Sequence, residues 1–369
     1  MDERWLKIAC ELLALPTAPL VEGAVAGWVR RFAEARGLGV EADRWGNLLV
    51  RYGRRQRGQR PLALCAHMDH PGFVAGGTGR DGLLRAWRRG GVPRDLIAGA
   101  KVRFFSDGRW LRGVVESVAK AERPGKGLPV TIRVAGAVAP GSPGMWDYPS
   151  PVVRGTRLYA RGHDDVTGAA AICCALDEAR RRKLTGEVLA FFTRGEELGM
   201  VGATGACREG SLPKDAVVVA LETSRAFVHA PLGGGAVVRV GDKASIFSPD
   251  VTRMLWRAAR KVAARDKRRR YQRRLMDGGT CESTTYGAWG YDAGGLCLPL
   301  GNYHNVDWDR MRLGPEFVDL GDYGSLVALL VALIGQGTKD LDKDGAATRA
   351  VMEARFEAWK EELAGGGRV

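Results

Sequence analysis

Four short apolar runs punctuate the chain: Pro61 to Ala66 (PLALCA), Glu187 to Thr193 (EVLAFFT), Ala216 to Leu221 (AVVVAL) and Gly295 to Leu300 (GLCLPL). Their length and lack of alternation predict strands buried on both faces. Stretches with a helical repeat fall between them. Ala169, Ala170, Cys173 and Leu176 recur ahead of a basic RRRK finish, which predicts a helix over 167–182 whose C-terminus favours that positive charge. A second helix is expected after Ser248, which can cap it, with Pro249 in the first turn and Val251, Met254, Leu255, Ala258 and Val262 at helical spacing. Strands alternating with helices predict an α/β fold, a mixed and largely buried sheet with helices on both faces. Ligands of such sheets gather beyond the carboxyl ends of the strands. His67, Glu196, Glu197, Glu222 and His304 all fall there.

Between residues 71 and 155 the pattern changes. Helical periods vanish, and runs such as KVRFF, LRGVVESV and PVTIRVAG are separated by glycine, proline and aspartate turns. This predicts a small all-β domain inserted at 71–155, dividing a catalytic domain made of residues 1–70 and 156–369. The exit APGSPGMWDYPSP is proline-rich, as boundaries between folding units often are.

Composition narrows the class. A chain of 369 residues with 45% hydrophobic content can bury a large core. The opening MDERWLKIAC mixes acids and bases where an export signal needs a basic end and then an apolar stretch. The longest apolar run, Leu326 to Ile334, is about half the ~20 residues that span a bilayer, so it is expected to be a buried helix segment and no membrane association is expected. The cysteines at 10, 65, 173, 174, 207, 281 and 297 form no CxxC pair, which points to a reducing, cytoplasmic setting. An excess of 56 basic over 42 acidic residues gives a net charge of +14, densest at Lys261 to Arg274. No aromatic platform or nucleic-acid motif accompanies that stretch. It is expected to be a solvated helix end and loop, with nucleic acid not a partner.

Chemistry concentrates in a few residues. Of five histidines, at 67, 70, 163, 229 and 304, two follow predicted strands directly. His67 ends one in HMD, where Asp69 can fold back to accept the ring's second N–H and fix the tautomer that offers the other nitrogen to a metal. His304 lies in PLGNYHN. Asp164 and Asp165 are adjacent in RGHDDVTG, just before a helix whose N-terminus favours negative charge, so capping is their alternative role. Glu196 and Glu197 leave the EVLAFFT strand side by side and can serve different ends, one as ligand and one as proton carrier. Glu222 ends VVVALET, an awkward place for an acid without a cation. So many carboxylates in one place repel one another unless cations join them. Two divalent ions bring +4 against −3 from three ligating acids, a net positive centre able to hold a hydroxide.

The segments HMDHPGFV, RGHDDVTG, TRGEELGMVGA, ALETS and LPLGNYHN resemble, in order and spacing, the metal-site motifs of the glutamyl and deblocking aminopeptidases, the tetrahedral-aminopeptidase family. The likeness runs over nearly the whole chain, and the insert occupies the place of that family's β-rich dimerisation domain, which also covers the site. The resemblance implies a cytoplasmic homo-oligomer that removes N-terminal residues from peptides. It assigns His67 and Glu222 to one metal, Glu197 and His304 to the other, and Asp164 to both. Glu196 becomes the general base, and Asp69 orients His67. Zinc is the expected metal, with cobalt or manganese able to serve. A water or hydroxide between the ions then attacks a carbonyl that a metal polarises.

The chain departs from the family pattern at three places. His70 stands where an acid is usual, Glu222 replaces an aspartate ligand, and GGTCESTTYGAWGYDAG differs from the family's GGTDA segment. A glutamate still supplies carboxylate oxygens. The third change bears on the substrate pocket, where Cys281 and Glu282 either line the wall or are simply a buried thiol and an exposed acid. His163 and His229 have either a supporting or a purely structural role, and the glycines of PLGGGAV lack a P-loop's Lys-Ser/Thr ending and read as a turn. A deacylase or carboxypeptidase of the aminoacylase-like branch shares the metal scaffold, but that branch carries its extra domain between the third acid and the last His. A non-catalytic interaction protein on the same scaffold is the third reading.

Overall fold

A computed structural model describes residues 1–338, 341 and 343–365; residues 339, 340, 342 and 366–369 of the expected 156–369 segment lie outside the described residues. At the centre is an eight-stranded sheet in the order Gly39–Ala42, Leu48–Gly53, Glu187–Thr193, Leu62–His67, Val217–Arg225, Asp292–Leu300, Ala236–Gly241, Tyr271–Leu275. The four strands that contain the apolar runs are its parallel middle. They are buried along nearly their whole length, as strands covered on both faces must be. Antiparallel pairs flank them on either side, so the sheet is mixed.

Parallel strands need crossovers, and the helices supply them. Val166–Arg181 packs on one face with Leu320–Gln336 and Glu3–Leu13, and its buried side chains carry that core across the sheet. Pro249–Arg265 starts as the sequence predicts, with Ser248 accepting from the Val251 N–H and Pro249 in its first turn. Leu326 to Ile334 lies inside Leu320–Gln336, mostly buried. On the other face Val201–Glu209 and Glu282–Ala288 enclose a second core around Phe191, Ala203 and Tyr286.

Strands Gly72–Thr78, Leu84–Arg89, Lys101–Ser106, Arg109–Val118, Leu128–Val134 and Pro143–Trp146 close into a barrel. Phe73, Phe104, Ile132 and Trp146 fill it, separately from the cores of the sheet. Closure leaves no free strand edge. The chain enters the barrel directly from His67 and leaves it shortly before Asp164, which puts its base beside the carboxyl ends of the central strands.

The basic stretch is the end of Pro249–Arg265, a short loop and the edge strand Tyr271–Leu275. Asp266 pairs with Arg268 and Arg269 within it, at 2.9 and 3.5 Å. A cleft of about 850 Å³ is lined by Lys261, Arg265, Arg268 and Arg269 but by none of the candidate catalytic residues. No described helix is long and apolar enough to cross a membrane.

Candidate active site

Each candidate side chain is delivered by the end of a central strand or the turn behind it. His67 is the last residue of Leu62–His67, and Thr193, its register partner, ends the neighbouring strand. Gly195 then adopts a positive φ of 62°, which a glycine bears without penalty, and Glu196 and Glu197 follow in a single 3₁₀ turn. Glu222 lies in the next strand, and Asp164 just before Val166–Arg181. His304 has a left-handed backbone (φ 56°) between Asn302 and Asn305, which share it (φ 54° and 62°). A non-glycine residue held there stores about 1 kcal/mol or more, a cost usually met at functional sites.

Two groups result, sharing one residue. His67, Asp164 and Glu222 form the first, and Asp164, Glu197 and His304 the second. His67 Nε2 lies 3.4 Å from Asp164 Oδ1 and 3.7 Å from Glu222 Oε1. His304 Nε2 lies 3.4 Å from Asp164 Oδ2 and 3.2 Å from Glu197 Oε1. Donors that share an ion at about 2.1 Å in tetrahedral geometry sit about 3.4 Å from one another. His67 Nε2, Asp164 Oδ1 and Glu197 Oε1 are buried with no hydrogen-bond partner. Buried polar atoms are ordinarily paired. Spacing, donor type and these unpartnered atoms all fit a pair of divalent cations.

The protonation pattern agrees. Burial pushes the Glu222 and Glu196 carboxyls well above the usual range, with neighbouring acids adding to it. Burial works against charge on Asp164 too, but the imidazoles of His304 and His67, each 3.4 Å away, hold it far below that range. Burial alone would lower His67, yet contacts with Asp164, Asp69 and Glu222 raise it well above its ordinary value. Without cations the cluster keeps protons that incoming metal ions would displace.

Asp69 holds two elements of the site. His67 Nδ1 lies 3.1 Å from its main-chain oxygen and 3.5 Å from its carboxylate. The carboxylate also accepts the main-chain N–H groups of Glu196 and Glu197, at 3.0 and 3.1 Å. Glu196 belongs to neither group and reaches the cavity wall.

Asp165 is also outside both groups. Its carboxylate accepts from Thr223 Oγ1 at 2.6 Å, and burial raises it to about 8. His163 bonds Thr167 Oγ1, and burial lowers it to about 3. His70 spans the Asp164 carbonyl and Asn305 Oδ1, at 2.8 and 2.9 Å, tying the two ligand loops together. His229 is exposed and stacks on Phe227.

A cavity of about 370 Å³ opens over the two groups. Asp164, Glu196, Glu222 and His304 line it at the chemical end, with Phe227 and Trp308 among its walls. Thr280 lines it, whereas Cys281 and Glu282 are buried and do not. Arg239 lines it and is 2% exposed, yet its contacts are long ones to neutral oxygens, Ser224 Oγ at 3.3 Å and the Met276 carbonyl at 3.4 Å. Gly91, from the barrel, also lines the cavity, and its carbonyl takes His304 Nδ1 at 2.6 Å, leaving Nε2 for a metal. Nothing in the sequence around Arg239 or Gly91 marks either residue. They reach the site through sheet order and barrel placement.

The sequence profile of the family described as M42 glutamyl aminopeptidase matches residues 133–307. Over that segment the chain is similar to the M42 glutamyl aminopeptidases. That match holds Asp164, Glu196, Glu197, Glu222 and His304, while His67 comes from the strand before the barrel. A protein of Acetivibrio thermocellus, provisionally named as an aminopeptidase, is 24% identical over 317 residues, 80% of this chain and 88% of its own. The fold is shared with aminopeptidase APDkam598 of the archaeon Desulfurococcus kamchatkensis, at a TM-score of 0.75 and 23% identity over 92% of this chain and 96% of the other. It is shared as well with the TET1 peptidase of Pyrococcus horikoshii, which can assemble into a tetrahedron or a large octahedral shell, at 0.73 and 23% over 89% and 99%.

Proposed function

We propose that the chain is a two-metal aminopeptidase that releases N-terminal residues, acidic ones foremost, from peptides. The observation that carries the reading is the pair of ligand groups sharing Asp164, beside a glutamate that belongs to neither. His67 and Glu222 would hold one ion, Glu197 and His304 the other, and Asp164 both. When bound, two divalent ions, zinc or else cobalt or manganese, polarise the scissile carbonyl and acidify a water.

The chain's own groups do the rest. Glu196 takes the proton of the attacking water and passes it to the leaving amine. Asp69 fixes the turn that carries it, and the carbonyls of Asp69 and Gly91 set the two imidazoles. Arg239 meets a carboxylate on the N-terminal residue of the substrate, because its guanidinium lines the cavity, hydrogen-bonds only to neutral oxygens and keeps an unpaired Nε. The barrel covers the site through Gly91 and forms the homo-oligomer contacts, a reading supported by the assembly of the Pyrococcus horikoshii relative into a tetrahedron or shell. The seven free cysteines fit a reducing cytoplasm.

The test is hydrolysis of matched peptides with free, acylated or C-terminally blocked ends, after loading with each metal. Release of the first residue from free-amine peptides, fastest for glutamyl or aspartyl, is expected. Cleavage confined to acylated substrates would move the chain to the deacylase branch.

A further inference from the structure

Beneath the two ligand groups lies another buried carboxylate that neither group uses. Glu316, at the start of strand Glu316–Asp319, is fully buried. Its Oε2 accepts the main-chain N–H groups of His163 and of Asp164, the latter at 3.3 Å. Its Oε1 accepts the main-chain N–H of His304 at 2.8 Å. Among the described residues its one ion-pair contact is His70 Nδ1, at 4.0 Å. One side chain therefore clamps the backbones of two loops separated by about 140 residues of sequence, one carrying the shared ligand and the other carrying His304.

Placing another negative charge under three candidate ligand acids is electrostatically unfavourable, so its presence there calls for a compensating role. The His304 backbone supplies one. It sits in the left-handed region and needs an external hold. A carboxylate can accept on both oxygens at once, which no amide or hydroxyl of similar size does.

We infer that Glu316 is a positioning residue that sets the distance between Asp164 and His304, and so controls the affinity of the second metal position more than the first. This rests on the two-ion reading above. In Glu316→Gln the amide offers one acceptor oxygen and one NH₂ group. The oxygen stays with the two donors of His163 and Asp164, and the NH₂ is left facing the His304 N–H. The hold on His304 is lost first.

Calorimetric titration of the metal-free full chain with Zn²⁺ alone tests this. The parent takes up two ions. Glu316→Gln is expected to keep the tighter or first-site affinity within a few-fold while the second weakens by about 10–100-fold, the range typical of groups that orient a metal ligand. In the double variant with His304→Ala, the second-ion affinity should equal that of His304→Ala alone, since Glu316 acts through that residue. Glu316→Asp, charged but shorter, should show the same order with a smaller loss. Two unchanged ions in Glu316→Gln, or equal weakening of both, would overturn the inference while leaving the two-ion reading standing. Failure of both single variants to fold would do the same, placing Glu316 in the core alone. A parent that binds fewer than two ions would instead sink the reading on which the inference rests.

Discussion

Replacing Glu196 with Gln should abolish proton transfer and leave metal binding intact. Glu196 is 12% exposed and lies 3.9 Å from His67 Nε2, farther than the 3.4 and 3.7 Å from that nitrogen to Asp164 and Glu222. Glu197 is 4% exposed, with Oε1 3.2 Å from His304 Nε2. Both main-chain N–H groups are held by Asp69, so an isosteric change in either side chain leaves the turn in place. Glutamine keeps the volume of Glu196 and its hydrogen-bonding reach but cannot take a proton from water. General-base removal costs about 10²–10⁴-fold in turnover, or roughly 3–5 kcal/mol of barrier. Glu197→Gln removes a ligand charge and should release one ion, by more than the ~10–100-fold typical of outer partners. Elemental analysis of both variants, run beside hydrolysis of the best glutamyl peptide, separates the outcomes. Near-parental turnover in Glu196→Gln with both ions bound would refute the proton-carrier role. Loss of an ion from that variant would exchange the roles of the two glutamates.

Arg239→Met should lower kcat/KM for glutamyl peptides by about 30-fold or more, the lower end of what a buried charged contact is worth, and leave alanyl peptides within a few-fold; equal losses on both would remove Arg239 from substrate recognition. Stability of the metal-free protein should fall as pH rises from 6.5 to 8, because Asp165 (about 8), Glu282 (about 7), His67 and His304 all hold protons in the folded state that the unfolded chain has already released. Melting curves with a chelator should show that slope and metal should flatten it; a level profile in the chelator would refute the assignment.

Fold class was legible because the four apolar runs are too short for helices and too uniformly apolar for half-exposed strands, and they form the parallel centre of the sheet. The capped helix after Ser248 was equally plain, since its cap, first-turn proline and apolar stripe agree locally. The candidate residues could be proposed from sequence since each follows a strand closely, and the fold brings them into two groups. What supports those groups was not legible. Asp69 binds Glu196 and Glu197 across 127 and 128 residues, and Glu316 binds Asp164 across 152. No periodicity encodes such pairings. The Asp69 carboxylate was expected on the nearer His67, and in the fold it lies near that ring and also takes the glutamate turn. Arg239 sits in a strand that reads as core, and only the cavity beside it gives its charge a purpose.

The account turns most directly on Asp164 as the ligand common to two ions. Elemental analysis of the parent after loading with zinc should find two ions per chain, and Asp164→Asn, of nearly the same shape, should weaken both together, since each group loses the same charged member. Two ions retained in Asp164→Asn, or a parent that saturates at one, would contradict the shared site.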